Sequence, residues 1–196
     1  MKLKTLGTIV TLTVFSILLT HSSIAYPCEQ EDRTPAQSLK TIRDDQSGLM
    51  FEVASNYRAV TKSQTEGGVW KEIYIMEPTA YCYLQGPASV ESSEALIGAN
   101  YVLIQLFSGS RDDVIAFLDK FELNPRYYQE VSINGSKALV RNDVVAINHP
   151  DGQYWAIIHD TTSDNLHYHA EAQAQFSRNN QVLLNQIYQS IRWKNP

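Results

Sequence analysis

The sequence predicts an α+β fold in which a mostly antiparallel β-sheet is flanked by helices, as in an α/β/α sandwich. Three observations support this prediction. About seven short segments alternate between apolar and polar residues or are continuously apolar, as strands are. Tight-turn sequences join several consecutive segments, which favours antiparallel pairing. Two further segments have helical periodicity, and the C-terminal one is amphipathic, so it can close the sheet.

Residues 1–25 have the features of a signal peptide that is removed from the mature protein. Lys2 and Lys4 give a positive start, residues 9–19 are largely apolar, and residues 23–25 form a small-x-small cleavage site. The apolar stretch is too short to span a bilayer comfortably. We therefore expect an exported protein, periplasmic or secreted, with no membrane span in the mature chain.

The composition indicates one acidic domain. The formal net charge is −5 at pH 7, and removal of the signal peptide takes away two lysines and makes it more negative. An acidic body repels nucleic acid and anionic membranes, so neither is expected as a partner. Residues 26–46 are polar and poorly periodic, which predicts an N-terminal arm. Residues 47–196 are long enough to form the single domain.

Several extended segments follow the arm. Residues 49–53 alternate between apolar and polar side chains and lead through a turn into a second extended piece at 57–60. Residues 69–76 are apolar on both faces, which indicates an interior strand that is covered on both sides. A short strand is predicted at 81–84, and a continuous apolar strand at 101–107.

Two segments are predicted to be helical. Residues 110–113, with the sequence Ser-Arg-Asp-Asp, have the form of a capping box, and apolar residues follow at helical spacing until Asn124 and Pro125 end the pattern. The second helix covers residues 182–193. It presents one apolar stripe, made of Leu183, Leu184, Ile187 and Ile191.

Two hairpins are predicted between the helices. Asn134 and Gly135 form the strongest short-range hairpin signal, and they separate the extended segments 127–133 and 137–141. A turn containing Pro, Asp and Gly then joins residues 144–148 to residues 154–159. Together these segments form a meander of four strands.

The opening Gly-Leu-Met-Phe-Glu-Val strand, the Asn-Tyr-Val-Leu-Ile segment at 100–104 and the Ile-Tyr-Gln-Ser-Ile-Arg-Trp ending at 187–193 occur in a characteristic order. This order resembles the PsbP-like family of exported α/β/α sandwich domains, over about residues 47–194. The family includes accessory subunits of photosystem II and many bacterial exported proteins, so the resemblance implies non-catalytic binding more often than catalysis. The chain lacks the family's usual Pro in the opening turn, where it has Ala-Ser-Asn at 54–56. The resemblance assigns no functional residue.

The most specific candidate site is a group of possible metal ligands. His167, His169 and Glu171 would share one face of an extended strand, close enough to bind a divalent transition metal such as zinc or copper. A hairpin closed at residues 161–165 would add His159. The alternative is the first turn of a helix, in which the side chains of His167 and His169 point apart.

No other pattern indicates a reaction. The sequence contains no serine elbow, paired-carboxylate pattern, phosphate-binding Gly loop or His-Glu-x-x-His helix. Our leading hypothesis is therefore an exported, non-catalytic accessory or binding protein that acts through a protein partner or a small ligand and has no cofactor. The alternatives are a periplasmic zinc- or copper-binding protein and, as a third class, a hydrolase with an unrecognised site.

Cys28 and Cys82 are the two cysteines of the chain, and an even number in an exported protein favours a disulfide. We expect peptide mapping without reduction to find a linked peptide containing both residues. Iodoacetamide should label the denatured protein at these cysteines only after reduction. Labelling of the unreduced, denatured protein would contradict the pairing.

Overall fold

The computed structural model describes residues 34–64, 67–85, 101–120, 128–141, 144–160 and 170–194. Within these ranges the chain has the predicted α+β fold, with a mostly antiparallel sheet and helices packed against it. The strands are β1 (Leu39–Asp44), β2 (Leu49–Ala54), β3 (Arg58–Ser63), β4 (Val69–Met76), β5 (Tyr101–Ser108), β6 (Gln129–Ile133), β7 (Ser136–Arg141), β8 (Val144–Asn148), β9 (Tyr154–Asp160) and β10 (Arg192–Trp193). The helices are α1 (Pro78–Gln85), α2 (Arg111–Asp119) and α3 (Ala170–Ser190).

The strands form two sheets in which all pairs are antiparallel. The large sheet has the order β3-β4-β5-β9-β8-β7-β6, and the small sheet has the order β1-β2-β10. Strands β6 to β9 form the predicted meander, and β9 then pairs with β5 in the middle of the large sheet. The small sheet combines the first strands of the described chain with its last one.

The main core lies on one side of the large sheet, which we call the inner face. There α3 and strand β2 of the small sheet pack against the large sheet. Full burial of a Leu, Ile or Phe side chain contributes about 1.5–3 kcal/mol relative to exposure. Fully buried members of this core include Leu49, Phe51, Ile75, Ile104, Leu183 and Ile187.

The opposite side of the large sheet, the outer face, is covered by α1 and α2. Helix α2 packs Val114, Phe117 and Leu118 against outer-face residues of β5 and β9. Helix α1 covers another part of this face through Ala80. Ser110 is the N-cap of α2 and forms the predicted capping box with Asp113, whose pKa is lowered by hydrogen bonds from Ser110.

The Asn134-Gly135 hairpin is confirmed. Asn134 has φ 49° and Gly135 has φ 84°, so both turn residues adopt the positive φ that a type I′ turn requires. The Asn134 side chain also donates to the carbonyl oxygens of Tyr188 (3.0 Å) and Ile191 (2.9 Å). The turn therefore holds the C-terminal end of α3 as well as joining β6 to β7.

Two predictions for the N-terminal half are wrong. The predicted irregular arm, residues 26–46, contains strand β1, which pairs with β2 along its whole length. Its polar composition reflects an edge strand with several exposed side chains. Residues 81–84 belong to helix α1 rather than to a strand. Pro78 at the first helical position was the signal that favoured a helix there.

The C-terminal helix is longer than predicted and ends earlier. Helix α3 begins at Ala170. Residues 170–181 lack a continuous apolar stripe and were therefore not predicted as helix, but the Ala and Gln residues in this segment favour helix by their intrinsic propensity. It ends at Ser190, and Trp193 lies in β10, opposite Leu49 of β2. Among the described residues, no helix has the length and apolar character needed to cross a membrane.

Replacing Ile187 by Asp should destabilise the domain by more than about 4 kcal/mol, because it buries an unpaired charge in the main core. The matched control is Val182→Asp on the same helix, where the side chain is 45% exposed and the change should stay within about 0.5 kcal/mol. Urea unfolding followed by circular dichroism measures both variants. Equal stabilities would show that α3 does not pack as described.

Candidate binding cleft

A β-bulge at the start of β4 places two consecutive side chains on the inner face. Val69 and Lys71 pair with consecutive residues of β5, so Trp70 is an extra residue in β4. Val69 packs in the outer-face core, whereas Trp70 packs against the main core. Lys71 reaches Asp44 in the small sheet. The bulge thus directs Trp70 and Lys71 towards the space between the two sheets.

An open cleft of about 530 Å³ lies where the bulge faces the small sheet. Four separate parts of the chain line it: the β1–β2 turn, the bulge, the end of β5, and the β8–β9 turn with the first residue of β9. The cleft combines three aromatic or imidazole rings with hydroxyl and amide groups. Its described lining residues are Gln46, Ser47, Trp70, Ser108, His149 and Tyr154.

The rings of the cleft belong to a row of edge-to-face contacts, which we call the aromatic row. The ring centroids of Trp70 and Tyr154 lie 6.3 Å apart, and those of Tyr154 and His149 lie 5.9 Å apart. His149 in turn lies 4.7 Å from Trp193 of β10. These are favourable geometries for aromatic pairs. The row therefore connects the large sheet to the small sheet along one wall of the cleft.

Hydrogen bonds within the β8–β9 turn hold His149 in place. Its backbone N–H donates to the Tyr154 carbonyl oxygen over 2.7 Å, and its Nδ1 lies 2.8 Å from Oδ1 of Asp151. The backbone N–H of Gln153 donates to the Asp151 carboxylate and lowers the pKa of that carboxyl, and His149 adds to the effect. The backbone N–H of Asp151 also lies 3.2 Å from Nδ1, so the backbone and the carboxylate of Asp151 both contact the imidazole before any ligand is present.

Asp44 organises the opposite wall of the cleft. Its carboxylate accepts hydrogen bonds from the Ser47 backbone N–H (2.9 Å) and hydroxyl (2.6 Å), and its other oxygen lies 2.5 Å from Lys71 Nζ. Burial acts to raise the pKa of the Asp44 carboxyl, but the hydrogen bonds from Lys71 and Ser47 outweigh burial and lower it. The ionised carboxylate therefore fixes the turn that brings Gln46 and Ser47 to the cleft.

Trp70 also carries an unsatisfied polar group. Its Nε1–H is buried and has no hydrogen-bond partner in the part of the chain that the structure describes. A buried donor without a partner costs about 1–3 kcal/mol. Unsatisfied groups of this kind require an explanation and are found at functional sites. Lys71 Nζ lies 5.5 Å from the Trp70 ring centroid, which adds a cation–π contact at the edge of the cleft.

The structure places one of the predicted metal ligands. His159 lies on the outer face, with Nε2 3.0 Å from Oε1 of Gln105. Glu171 lies in the first turn of α3, but its side chain, like His167 and His169, is outside the described residues. The described ranges contain no group of three His, Cys, Asp or Glu residues that could hold a metal ion. A zinc or copper site at these four residues stays a prediction.

The predicted disulfide also stays a prediction. Cys82 lies in α1, where it is partly buried. Cys28 is outside the described residues. The structure therefore places one of the two cysteines on the helix that covers the outer face, away from the cleft.

Sequence analysis did not identify the cleft residues as a site. The turn at residues 150–152 was predicted correctly, and Tyr154 was assigned to the strand that follows it, but nothing in the sequence grouped Tyr154 with His149. The bulge at Trp70 cannot be recognised from the apolar pattern of β4. Both faces of this strand are apolar, so an extra residue does not interrupt an alternation of apolar and polar side chains. The available signal was the presence of aromatic residues at the ends of several strands, which becomes informative only with the strand order.

Comparisons of the chain with protein-family models, with curated proteins and with solved structures found no match. The resemblance to the PsbP-like family is therefore untested.

Replacing Asp44 by Asn should lower the stability at pH 7 by about 1–3 kcal/mol, because the Lys71 and Ser47 hydrogen bonds to a carboxylate are weakened. A carboxyl with a lowered folded-state pKa stabilises the protein above its unfolded pKa, about 3.9, and loses this contribution as the pH falls through the folded value. The difference between wild type and variant should therefore be constant above about pH 5 and shrink below about pH 4.

Urea unfolding across this pH range measures the effect. The neighbouring exposed carboxylate gives the matched control, because Asp45→Asn should change the stability by less than about 0.5 kcal/mol. A difference between wild type and the Asp44 variant that does not depend on pH would contradict the role given to the ionised carboxylate.

Proposed function

We propose that this protein is an exported, non-catalytic binding protein that holds a small neutral ligand in the cleft between its two sheets. The observation that carries the proposal is the convergence of Trp70, His149 and Tyr154 on one open cleft. Small-molecule sites are concave and lined by aromatic side chains with a few polar groups that fix orientation. The cleft volume of about 530 Å³ lies within the range of about 300–1,000 Å³ that is usual for such sites.

The chemistry of the lining favours a saccharide. None of the six described lining residues carries a permanent charge. A neutral ligand can therefore bind without burying a charged side chain that lacks a partner. Aromatic rings offer surfaces for the apolar C–H face of a sugar ring. The hydroxyl groups of Ser47 and Ser108 and the amide of Gln46 supply donors and acceptors for sugar hydroxyls. A mono- or disaccharide offers an apolar ring face to the aromatic side chains and hydroxyl groups to the polar side chains of the cleft.

The site is organised before binding. The aromatic row holds Tyr154 between two other rings, and the Asp44 hydrogen bonds hold the turn with Ser47. Groups that are already in place lose less conformational freedom when a ligand binds. Tyr154 is also 36% exposed, so its ring is accessible from solvent. The preorganised wall thus supports binding of a rigid ring.

Tryptophan fluorescence can test this proposal, because Trp70 lies in the cleft and Trp193 contacts His149 in the aromatic row, whereas Trp155 is buried beneath α2. A panel of neutral mono- and disaccharides is titrated into the wild-type protein. We expect at least one saccharide to give a saturable change in fluorescence. Tyr154→Ala and Trp70→Phe should each weaken its binding about tenfold or more, equivalent to about 1.4 kcal/mol.

Two control variants separate ligand contacts from general effects. Tyr154→Phe keeps the ring and should bind within about threefold of wild type, and Leu39→Ala, at an exposed position of β1, should leave binding unchanged. Calorimetry measures the affinity of Trp70→Phe, which lacks the fluorescent reporter in the cleft. The absence of saturable binding up to about 10 mM for the whole panel, or equal affinities of wild type and Tyr154→Ala, would refute the proposal.

A further inference from the structure

The outer face contains a buried carboxylate that forms no ion pair within the described residues. Glu72 of β4 is only 8% exposed, and it accepts hydrogen bonds from Tyr74 (2.6 Å), Gln64 (2.9 Å) and Gln105 (3.0 Å). All three donors are uncharged groups. Lys62 of β3 lies opposite Glu72 in the strand register and acts on it electrostatically, but no Lys, Arg or His of the described residues lies within ion-pair distance of the carboxylate.

Glu72 is ionised at neutral pH. Burial acts to raise the pKa of its carboxyl, but the hydrogen bonds from Tyr74, Gln64 and Gln105, together with the charge of Lys62, outweigh burial and lower the pKa. Burial and the neighbouring Glu72 raise the pKa of Tyr74, so its hydroxyl keeps its proton and remains a donor. The network therefore maintains a negative charge on the outer face.

One acceptor position of this carboxylate is still open. A carboxylate offers about four lone-pair positions. Oε2 of Glu72 accepts from Gln64 and Tyr74, whereas Oε1 accepts only from Gln105 among the described residues. An additional N–H donor can therefore bind Oε1 without displacing any of the three donors.

This carboxylate lines a pocket of about 380 Å³ between α2 and the edge of the large sheet. One part of the pocket is polar, with Glu72 and two amides, and another part is apolar. A lysine at the C-terminal end of α2 provides a positive charge, and its side chain is exposed and forms no ion pair within the described ranges. The residues that matter here are Gln64, Val69, Glu72, Gln105, Phe117 and Lys120.

We propose that this outer pocket binds the zwitterion of an apolar or aromatic α-amino acid. The Glu72 carboxylate receives the ligand's ammonium group at Oε1, and the flexible Lys120 side chain contacts the ligand's carboxylate. Val69 and Phe117 provide the apolar surface for the ligand's side chain. One small molecule thereby contacts both the Glu72 carboxylate and the Lys120 ammonium group. This site lies on the face of the large sheet opposite the cleft, so the proposal does not rest on saccharide binding.

Calorimetric titration with L-phenylalanine and two analogues tests the charge pattern. Phenethylamine lacks the carboxylate, and 3-phenylpropanoate lacks the ammonium group. We expect saturable binding of phenylalanine by the wild-type protein and at least about tenfold weaker binding of both analogues, as expected when a charged contact is lost. L-Leucine in the same titration shows whether an aliphatic side chain is also accepted.

Two substitutions assign the charges to residues. Lys120→Met should weaken phenylalanine binding about tenfold or more and make phenylalanine and phenethylamine bind equally, because only the carboxylate contact is removed. Glu72→Gln should weaken the binding of phenylalanine and of phenethylamine. Lys137→Met, which removes an exposed lysine of β7, is the matched control and should bind phenylalanine as wild type does.

Several results would overturn the proposal: no binding of phenylalanine or leucine, phenethylamine binding as tightly as phenylalanine to wild type, or unchanged binding in Lys120→Met. Lys120 is exposed, so its substitution tests the proposal even if Glu72→Gln fails to fold. Thermal unfolding of each variant identifies such a failure. Saccharide binding in Lys120→Met should be unchanged, which separates this inference from the function proposed for the cleft.

Discussion

The structure depends on the packing of α3 and β2, side by side, against the inner face of the large sheet. The apolar stripe of α3, with Leu183 and Ile187 at its centre, packs against both β2 and the inner face of the large sheet. Neither sheet could bury its apolar face without this packing. The small sheet has only three short strands, and α1 and α2 cover the outer face of the large sheet but not its inner face. The same packing holds the small sheet over the inner face of the large sheet, and the cleft lies where the two sheets meet.

Local signals predicted most of the fold. Ser110 and Asp113 form a capping box, and Asn134 with Gly135 forms a tight turn, because each motif satisfies backbone hydrogen bonds over a few neighbouring residues. The errors occurred where tertiary contacts decide the structure. Strand β1 is polar because it lies at an edge, and Trp193 leaves the helical pattern because β10 pairs with β2. Sequence periodicity carries no information about either pairing partner.

The candidate sites were less predictable than the fold. Trp70 and Tyr154 are far apart in the chain, and only the sheet order and a bulge bring their rings together. Glu72 belongs to a strand that was predicted to be apolar on both faces, and its hydrogen bonds come from three different positions in the chain. By contrast, the histidine pattern was visible in the sequence because its residues are neighbours. The cleft and the outer pocket are each formed by residues that are distant in the sequence, so neither could be recognised from it.

The pairing of β10 with β2 has a consequence for how the protein folds. Leu49 lies opposite Trp193, so the small sheet joins the beginning of the described chain to its end, and β5 likewise pairs with the much later β9. Such distant pairings make folding slow, because long loops must close before the contacts form. Until Arg192 and Trp193 pair with β2, the edge of β2 at Leu49 and Met50 is unpaired. Trp193 then completes the small sheet and the aromatic row in the same step, so the wall of the cleft forms only when β10 has paired with β2.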